Sequence, residues 1–178
     1  MRFRDLGIDS KMDLLSKKKS QNTALTKSAI TIYLYALMEP IHHQLFVYGS
    51  LRSGFNHPAY AYISNHFELV GSAKVKGKLY DLGAYPAALP TTEEYFILGE
   101  LYRLKEEQEF EWAIAQVDDY EGVNPEPGET ALYVRDQTTV YINDRVTNAW
   151  IYWYNNDVSG KPLIASGDVL EYLQQKKS

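Results

Sequence analysis

Residues 46–54, FVYGSLRSG, change character at their centre. The run QLFVYG at 44–49 is short, apolar and ended by a glycine, which is typical of a central buried strand. A polar loop containing Ser50 and Arg52 follows it. The N–H groups of such a glycine-led turn form a concave surface that binds an anion or a carboxylate, and Arg52 would add positive charge. We therefore expect a ligand-binding loop here; the alternative is an ordinary tight turn with a solvated arginine.

This loop does not match the common phosphate-binding or nucleophile motifs. It is neither G-x-x-x-x-G-K-[ST] nor G-x-G-x-x-G, so nucleotide binding has little support. It is not G-x-S-x-G either, and Ser50 as a nucleophile would require a histidine base, for which His57 is the near candidate. The serine-nucleophile interpretation is kept as an alternative.

The composition excludes several classes of function. The 178-residue chain has no cysteine, which excludes disulfides, thiolate zinc sites and cysteine nucleophiles. Its four histidines form no spaced pair of the metal-binding kind, so a metal enzyme is disfavoured. No organic cofactor is expected either. With 23 acidic and 18 basic residues the net charge is -5, which argues against a nucleic-acid binder.

Residues 1–37 differ from the rest of the chain. They carry seven Lys or Arg and three Asp or Glu, and they lack a sustained apolar period. We therefore predict a disordered or non-native leader at 1–37 and one domain at 38–178, with translation from Met38 as one explanation. The apolar run at 29–38 is about half the roughly 20 residues that span a bilayer, and a good cleavage site is missing. We expect a cytoplasmic protein with no membrane partner.

The domain reads as many strands with a few short helices. Strand patterns cover 44–49, 67–83 and 95–104. Gly71 and Gly77 are expected to form bulges or bends in the second of these. Residues 133–155 are expected to form a hairpin around the turn NDRV. Helical patterns cover 58–66, 106–122 and 165–177. This order predicts an α+β fold, a small mixed-strand β-barrel, closed or nearly closed, with flanking short helices.

The helix predicted before Gly122 directs one carboxylate inward. Its apolar residues fall at i, i+3, i+4 and i+7: Phe110, Ala113, Ile114 and Val117. At about 100° per residue, Glu121 returns to within about 20° of Phe110, whereas Asp118 lies at the edge and Asp119 opposite. Glu121 is thus a candidate general acid or base, or alternatively a partner of an arginine or a helix cap. We expect Asp118 and Asp119 to be solvated or capping.

Six segments together resemble the gamma-glutamylcyclotransferase-like family in order and approximate spacing. They are VYGSLRSGFNHP (47–58), GKLYDLGAYPAAL (77–89), GELYRL (99–104), VDDYEG (117–122), YVR (133–135) and AWIYWYN (149–155). The resemblance covers about residues 44–155. The leader has no counterpart in it, and NPEPGET (124–130) looks like an insertion that could reshape the mouth of a pocket.

The resemblance implies a reaction and a set of site residues. A gamma-glutamyl amine or amino acid is cyclised to 5-oxoproline with release of the amine. Glu121 corresponds to the family's catalytic acid/base. The main-chain amides of the loop hold the glutamyl end, and Tyr85 and Tyr133 resemble positions that line the pocket. The substrate-binding residues predicted from the loop and the resemblance are therefore Tyr48, Gly49, Ser50, Leu51, Arg52, Tyr85 and Tyr133.

Two rival functions remain open at this point. The same barrel could be a non-catalytic module that binds a small molecule, or a hydrolase or other lyase of a related amide, which would release glutamate instead of 5-oxoproline. The expected partner is a small gamma-glutamyl molecule, and the sequence leaves a monomer and a dimer equally open.

Overall fold

The computed structural model describes residues 43–55 and 57–177. The elements, in chain order, are β1 (Gln44–Val47), a 3-10 turn (Ser53–Phe55), α1 (Pro58–His66), β2 (Phe67–Asp81), β3 (Pro86–Pro90), β4 (Phe96–Leu104), a second 3-10 turn (Glu107–Glu109), α2 (Phe110–Glu121), β5 (Tyr133–Ile142), β6 (Arg145–Tyr154) and α3 (Val169–Lys176). The predicted leader, residues 1–37, lies outside the described residues.

Five strands close into a barrel. The sheet order is β3-β2-β4-β1-β6-β5. A further pairing of β2 with β5 closes the five strands from β2 to β5 into a barrel, and β3 is an extra strand paired with β2. The β1–β6 pair is parallel, whereas the other pairs are antiparallel. The predicted α+β fold with a mixed-strand barrel and short flanking helices is confirmed.

Strand β1 is central, between β4 and β6, and apolar clusters cover both of its faces. Phe46 joins the apolar cluster formed by one face of the strands together with α3. Leu45 and Val47 point the other way, into a second cluster that includes the apolar faces of α1 and α2. This double burial explains the uninterrupted apolar run that precedes the glycine loop.

Strand β2 curves around the barrel with one bulge. Its register against β4 shifts between Leu69 and Gly71, which confirms the bulge predicted at Gly71. Gly77 keeps regular pairing with Pro90, so a bulge there is wrong, and it begins the pairing with β3 directly after β2 leaves β4 at Lys76. Glycine is needed at 77 for close packing, because a Cβ atom would lie 2.7 Å from Ile97 Cδ1.

The β5–β6 hairpin turns tightly at Asn143 and Asp144. Both residues have positive φ, 45° and 59°, as a two-residue type I′ turn requires. The turn is shorter than the predicted NDRV segment, because Arg145 and Val146 already belong to β6. The hairpin itself is confirmed.

Helix α2 has the predicted register. Phe110, Ala113, Ile114 and Val117 are all buried against the barrel. The helix ends at Gly122, whose φ of 67° is the left-handed conformation expected of a C-terminal glycine. This register brings the end of α2 to the loop that follows β1, as the cavity described below shows.

Helix α1 covers the predicted residues 58–66, with Pro58 in its first turn, where a missing N–H has no partner to lose. Among the described residues, no helix combines the length and the apolar character needed to cross a bilayer.

Candidate active site

A cavity of about 160 Å³ opens where the end of β1, the glycine loop and the end of α2 meet. The segment before β3 and the beginning of β5 complete its walls. Its lining residues are Phe46, Val47, Tyr48, Gly49, Ser50, Leu51, Tyr85, Pro86, Tyr120, Glu121, Leu132, Tyr133 and Tyr152. Five of these residues, Tyr48 included, are tyrosines, so the wall is rich in aromatic side chains.

Glu121 is the one acidic residue of this lining. Burial raises the pKa of its carboxyl from 4.5 to about 7. Within the described residues, no side chain forms an ion pair with this carboxyl, and no group donates a hydrogen bond to it. The described structure therefore does not support the alternative in which Glu121 only pairs with an arginine or caps a helix.

Glu121 affects the pKa values of three tyrosines that line the cavity. Burial is the main reason why the pKa values of Tyr48, Tyr133 and Tyr152 lie well above the ordinary value of 10, and the negative charge of Glu121 raises them further. Their hydroxyl groups therefore remain protonated at neutral pH. Each of them already donates within the protein: Tyr48 to the carbonyl of Tyr152 at 2.7 Å, Tyr133 to the carbonyl of Pro86 and Tyr152 to Asp118.

The glycine loop forms a β-turn beside Glu121. The N–H of Arg52 donates to the carbonyl of Gly49 at 3.0 Å. Within the described residues, no hydrogen bond of this turn uses the N–H of Ser50 or Leu51 as its donor. Central amides of a β-turn are commonly left without an acceptor, so these two N–H groups are available to an anionic or carbonyl oxygen.

The position of Ser50 gives no support to a serine nucleophile. The Ser50 Oγ atom lies 2.9 Å from the Tyr120 hydroxyl oxygen, in a hydrogen bond. His57, the histidine proposed as its base, instead accepts the N–H of Ala59 through Nδ1 at 3.2 Å. His57 therefore caps α1.

Arg52 lies outside the cavity lining, which corrects the expectation that its charge meets the ligand. Its Nη1 atom donates to Asp168 Oδ1 at 2.8 Å, and the side chain is buried. Asp168 also caps α3 by accepting the N–H of Leu170. This partly buried pair therefore joins the loop to the beginning of α3.

A second anchor follows directly in the loop. Ser53 donates its N–H at 2.9 Å and its hydroxyl at 2.5 Å to the carboxylate of Glu100, which is buried on β4. Tyr102 donates to the same carboxylate at 2.7 Å. The Glu100 anchor was not predicted, because pairs 47 residues apart carry no local sequence signal.

Tyr85 and Tyr133 both line the cavity, as the resemblance implied. The Tyr133 hydroxyl donates to the carbonyl of Pro86 at 3.1 Å, and the ring centroids of the two tyrosines are 6.4 Å apart. Residues 124–130, expected to reshape the pocket mouth, contribute no residue to the lining.

Asp118 is buried, so the prediction that it is solvated or capping is wrong. Its Oδ1 atom accepts the hydroxyl of Tyr152 at 2.8 Å and lies 2.9 Å from Arg135 Nε. The Arg135 guanidinium also stacks over the ring of Trp150 at 4.7 Å. Asp119 is exposed, as expected. The position of Asp118 at the edge of the apolar face was the only sequence signal of its burial. Its partners lie on β5 and β6, far away in the sequence.

Six lining residues were not predicted as site residues: Phe46, Val47, Pro86, Tyr120, Leu132 and Tyr152. Tyr120 directly precedes Glu121 but is 48% exposed, so the apolar period of α2 does not single it out. Within the described residues, no three His, Asp or Glu side chains are grouped so that they could hold a metal ion.

Residues 45–171 match the model of the family described as "Gamma-glutamyl cyclotransferase, AIG2-like". The chain belongs to this family. The matched region contains the whole cavity lining.

Two curated relatives agree with this assignment. The gamma-glutamylcyclotransferase family protein YtfP of Escherichia coli is 31% identical over 131 residues, which are 72% of this chain and 96% of YtfP. The gamma-L-glutamyl-butirosin B gamma-glutamyl cyclotransferase of Niallia circulans is 34% identical over 115 residues, 64% of this chain and 67% of that protein. The chain is therefore an enzyme of the gamma-glutamylcyclotransferase type.

The solved structures show the same fold. The solution structure of YtfP from Escherichia coli superposes with a TM-score of 0.51 at 28% identity and covers 72% of this chain and 97% of YtfP. The gamma-glutamylcyclotransferase barrel predicted from the sequence is thus confirmed by the family and by a solved relative.

Proposed function

We propose that this enzyme converts a gamma-glutamyl amine or amino acid to 5-oxoproline and the free amine, with Glu121 as the acid/base. One observation carries the proposal: a carboxyl with a pKa of about 7, and with no ion-pair partner among the described residues, lies in the wall of the cavity beside the glycine loop. A group with this pKa can both accept and donate a proton near neutral pH, which the reaction requires.

The reaction is an intramolecular acyl transfer. The alpha-amine of the gamma-glutamyl group attacks the gamma-carbonyl carbon, a C–N bond closes the five-membered lactam, and the bond to the leaving amine breaks. Because the nucleophile belongs to the substrate, the proximity advantage is large and no enzyme nucleophile is required.

Glu121 would transfer the proton between the two nitrogens. Its carboxylate takes the proton from the attacking amine, and the resulting carboxylic acid gives it to the leaving amine. Its free position in the lining supports this role, because a carboxylate held by an arginine would be a weaker base.

The glycine loop would hold the glutamyl end. The N–H groups of Ser50 and Leu51 are suited to the alpha-carboxylate or to the oxyanion that forms at the gamma-carbonyl. The Tyr133 hydroxyl becomes a further donor only if it leaves the carbonyl of Pro86. The anchors at Arg52 and Ser53 limit movement of this loop and so preserve the binding geometry.

The test is 5-oxoproline production by the wild type and by Glu121→Gln from a set of gamma-glutamyl amines and dipeptides. Glutamine keeps the size of the side chain but cannot take the proton, so we expect turnover to fall by roughly 10²-fold or more. Stabilisation of the variant by added 5-oxoproline should persist, because binding does not require the proton transfer.

Asp119→Asn is the matched control, because Asp119 is an exposed carboxylate on the same helix end. Asp118→Asn is unsuitable as a neutral control, since Asp118 is paired and buried. Full 5-oxoproline production by Glu121→Gln would contradict the proposed role. Release of glutamate instead of 5-oxoproline would identify an amide hydrolase, and binding without turnover would identify a non-catalytic module.

A further inference from the structure

A second cavity of about 180 Å³ lies between α1 and α2. We call it the helix cavity. Its lining residues are Leu51, Ala59, Tyr62, Ile63, Gln116, Val117 and Tyr120. Neither the sequence analysis nor the proposed mechanism uses it.

The helix cavity shares two walls with the cavity of Glu121. Leu51 and Tyr120 line both spaces. Tyr120 is 48% exposed. Within the described residues, its hydroxyl forms one hydrogen bond, which is to Ser50. Since an exposed hydrogen bond of this kind contributes only about 1 kcal/mol, a substrate can displace the Tyr120 ring without a large penalty.

The size of the first cavity requires the substrate to extend beyond it. An engineered apolar cavity of about 150 Å³ holds one benzene molecule, and the cavity of Glu121 encloses about 160 Å³. The glutamyl group that is to be cyclised is already larger than benzene. The amine side of the substrate therefore extends out of this volume, and the helix cavity adjoins the site at Leu51 and Tyr120.

The chemistry of the helix cavity selects the kind of amine. Its lining contains no charged side chain. The Tyr62 hydroxyl is already used, because it donates to the carbonyl of Ala113 at 2.9 Å. A carboxylate or a second ammonium group would lose hydration there and find no opposite charge, with the neutral amide of Gln116 as a polar partner, whereas an alkyl or aryl group would gain apolar contacts.

We propose that the helix cavity receives the amine side of the substrate, and that the preferred substrates are gamma-glutamyl derivatives of apolar amines without a second charge. The inference rests on the proposed cyclotransferase reaction. It goes further, because it assigns the leaving-group site and separates simple amines from amino acids.

The first measurement compares two substrates that differ by one carboxylate. We expect gamma-glutamyl-phenethylamide to have a kcat/KM at least about tenfold above that of gamma-glutamyl-phenylalanine, since the carboxylate of the latter enters an apolar space. Equal or reversed values would overturn the assignment of apolar amines.

The second measurement fills the cavity. Ala59→Leu adds three carbon atoms to its wall and should lower the ratio of kcat/KM for gamma-glutamyl-phenethylamide to that for gamma-glutamyl-methylamide by about tenfold. The ratio is used because partial unfolding reduces both values equally. Ala61→Leu makes the same change at an exposed position on α1 outside the lining and should leave the ratio unchanged.

The outcomes separate this inference from the proposed function. If 5-oxoproline forms from the substrates but Ala59→Leu leaves the ratio at the wild-type value, the leaving group does not occupy the helix cavity, and this inference alone fails. If no 5-oxoproline forms from any of them, gamma-glutamyl-methylamide included, the proposed function fails, and the inference fails with it.

Discussion

Replacing Glu121 by Gln should make the protein more stable, and by an amount that depends on pH. Burial favours the protonated form of the Glu121 carboxyl in the folded state, where its pKa is about 7 against an ordinary value of 4.5. Between these two pH values the folded state binds more protons than the unfolded state, so the free energy of unfolding falls as pH rises. Glutamine resembles the protonated acid and does not titrate.

The expected magnitude follows from the two pKa values. At 1.36 kcal/mol per pH unit, the interval from 4.5 to about 7 corresponds to roughly 3 kcal/mol. The variant should therefore match the wild type below about pH 4, exceed it increasingly from pH 4.5 to 7, and stay about 3 kcal/mol more stable above pH 8.

Urea unfolding of both proteins at several pH values between 4 and 9 measures this difference directly. Subtracting the two curves removes the contributions of the other ionisable groups, which the two proteins share. Asp119→Asn again serves as the control for the loss of one negative charge at this helix end. Its difference from the wild type should not reach this size, because Asp119 is exposed.

The result that would refute the reasoning is a difference that does not change with pH. A constant gain would mean that the carboxyl is not desolvated, and a constant loss would mean that Glu121 makes a stabilising contact. In either case the argument for a carboxyl poised near neutral pH would fail, whatever the activity of the variant.

Three further substitutions test the surroundings of Glu121. Gly49→Val should reduce kcat/KM by about 10–100-fold, because a Cβ atom there would lie 3.4 Å from Pro86 Cγ and the further methyl groups would displace the loop. Ser50→Ala should reduce kcat/KM by less than about fivefold. Steady-state kinetics measure both, and the reverse ranking would point to Ser50 as a nucleophile. Asp118→Asn should lower the free energy of unfolding by about 2–3 kcal/mol in urea, since Arg135 loses its carboxylate partner, and an unchanged value would show that this ion pair adds nothing.

Local periodicity was sufficient to place Glu121. A helix fixes the direction of each side chain relative to its neighbours, so the buried Phe110 and Val117 determine which later residue faces inward. The bulge at Gly71 and the hairpin turn at Asn143 were predictable from another local signal, because each depends on the conformational preferences of one or two residues.

Long-range pairs could not be predicted in this way. Arg52 and Asp168 are 116 residues apart, and Asp118 meets Arg135 only after β5 and β6 have joined the barrel. An arginine in a polar loop looks the same in the sequence whether it binds a ligand or a distant carboxylate. The helix cavity is likewise a consequence of how α1 and α2 pack, and no single segment encodes it.

Two carboxylates three residues apart on α2 thus have opposite environments. Asp118 has a cation and a hydroxyl as partners, which compensate for its burial and hold the end of the helix against β5 and β6. Glu121 has neither among the described residues and so retains a raised pKa. An unpaired carboxyl tends to drive its own segment towards water, and the paired one next to it opposes that tendency. We therefore propose that the Asp118 pair is what allows the same helix end to present the Glu121 carboxyl to the cavity.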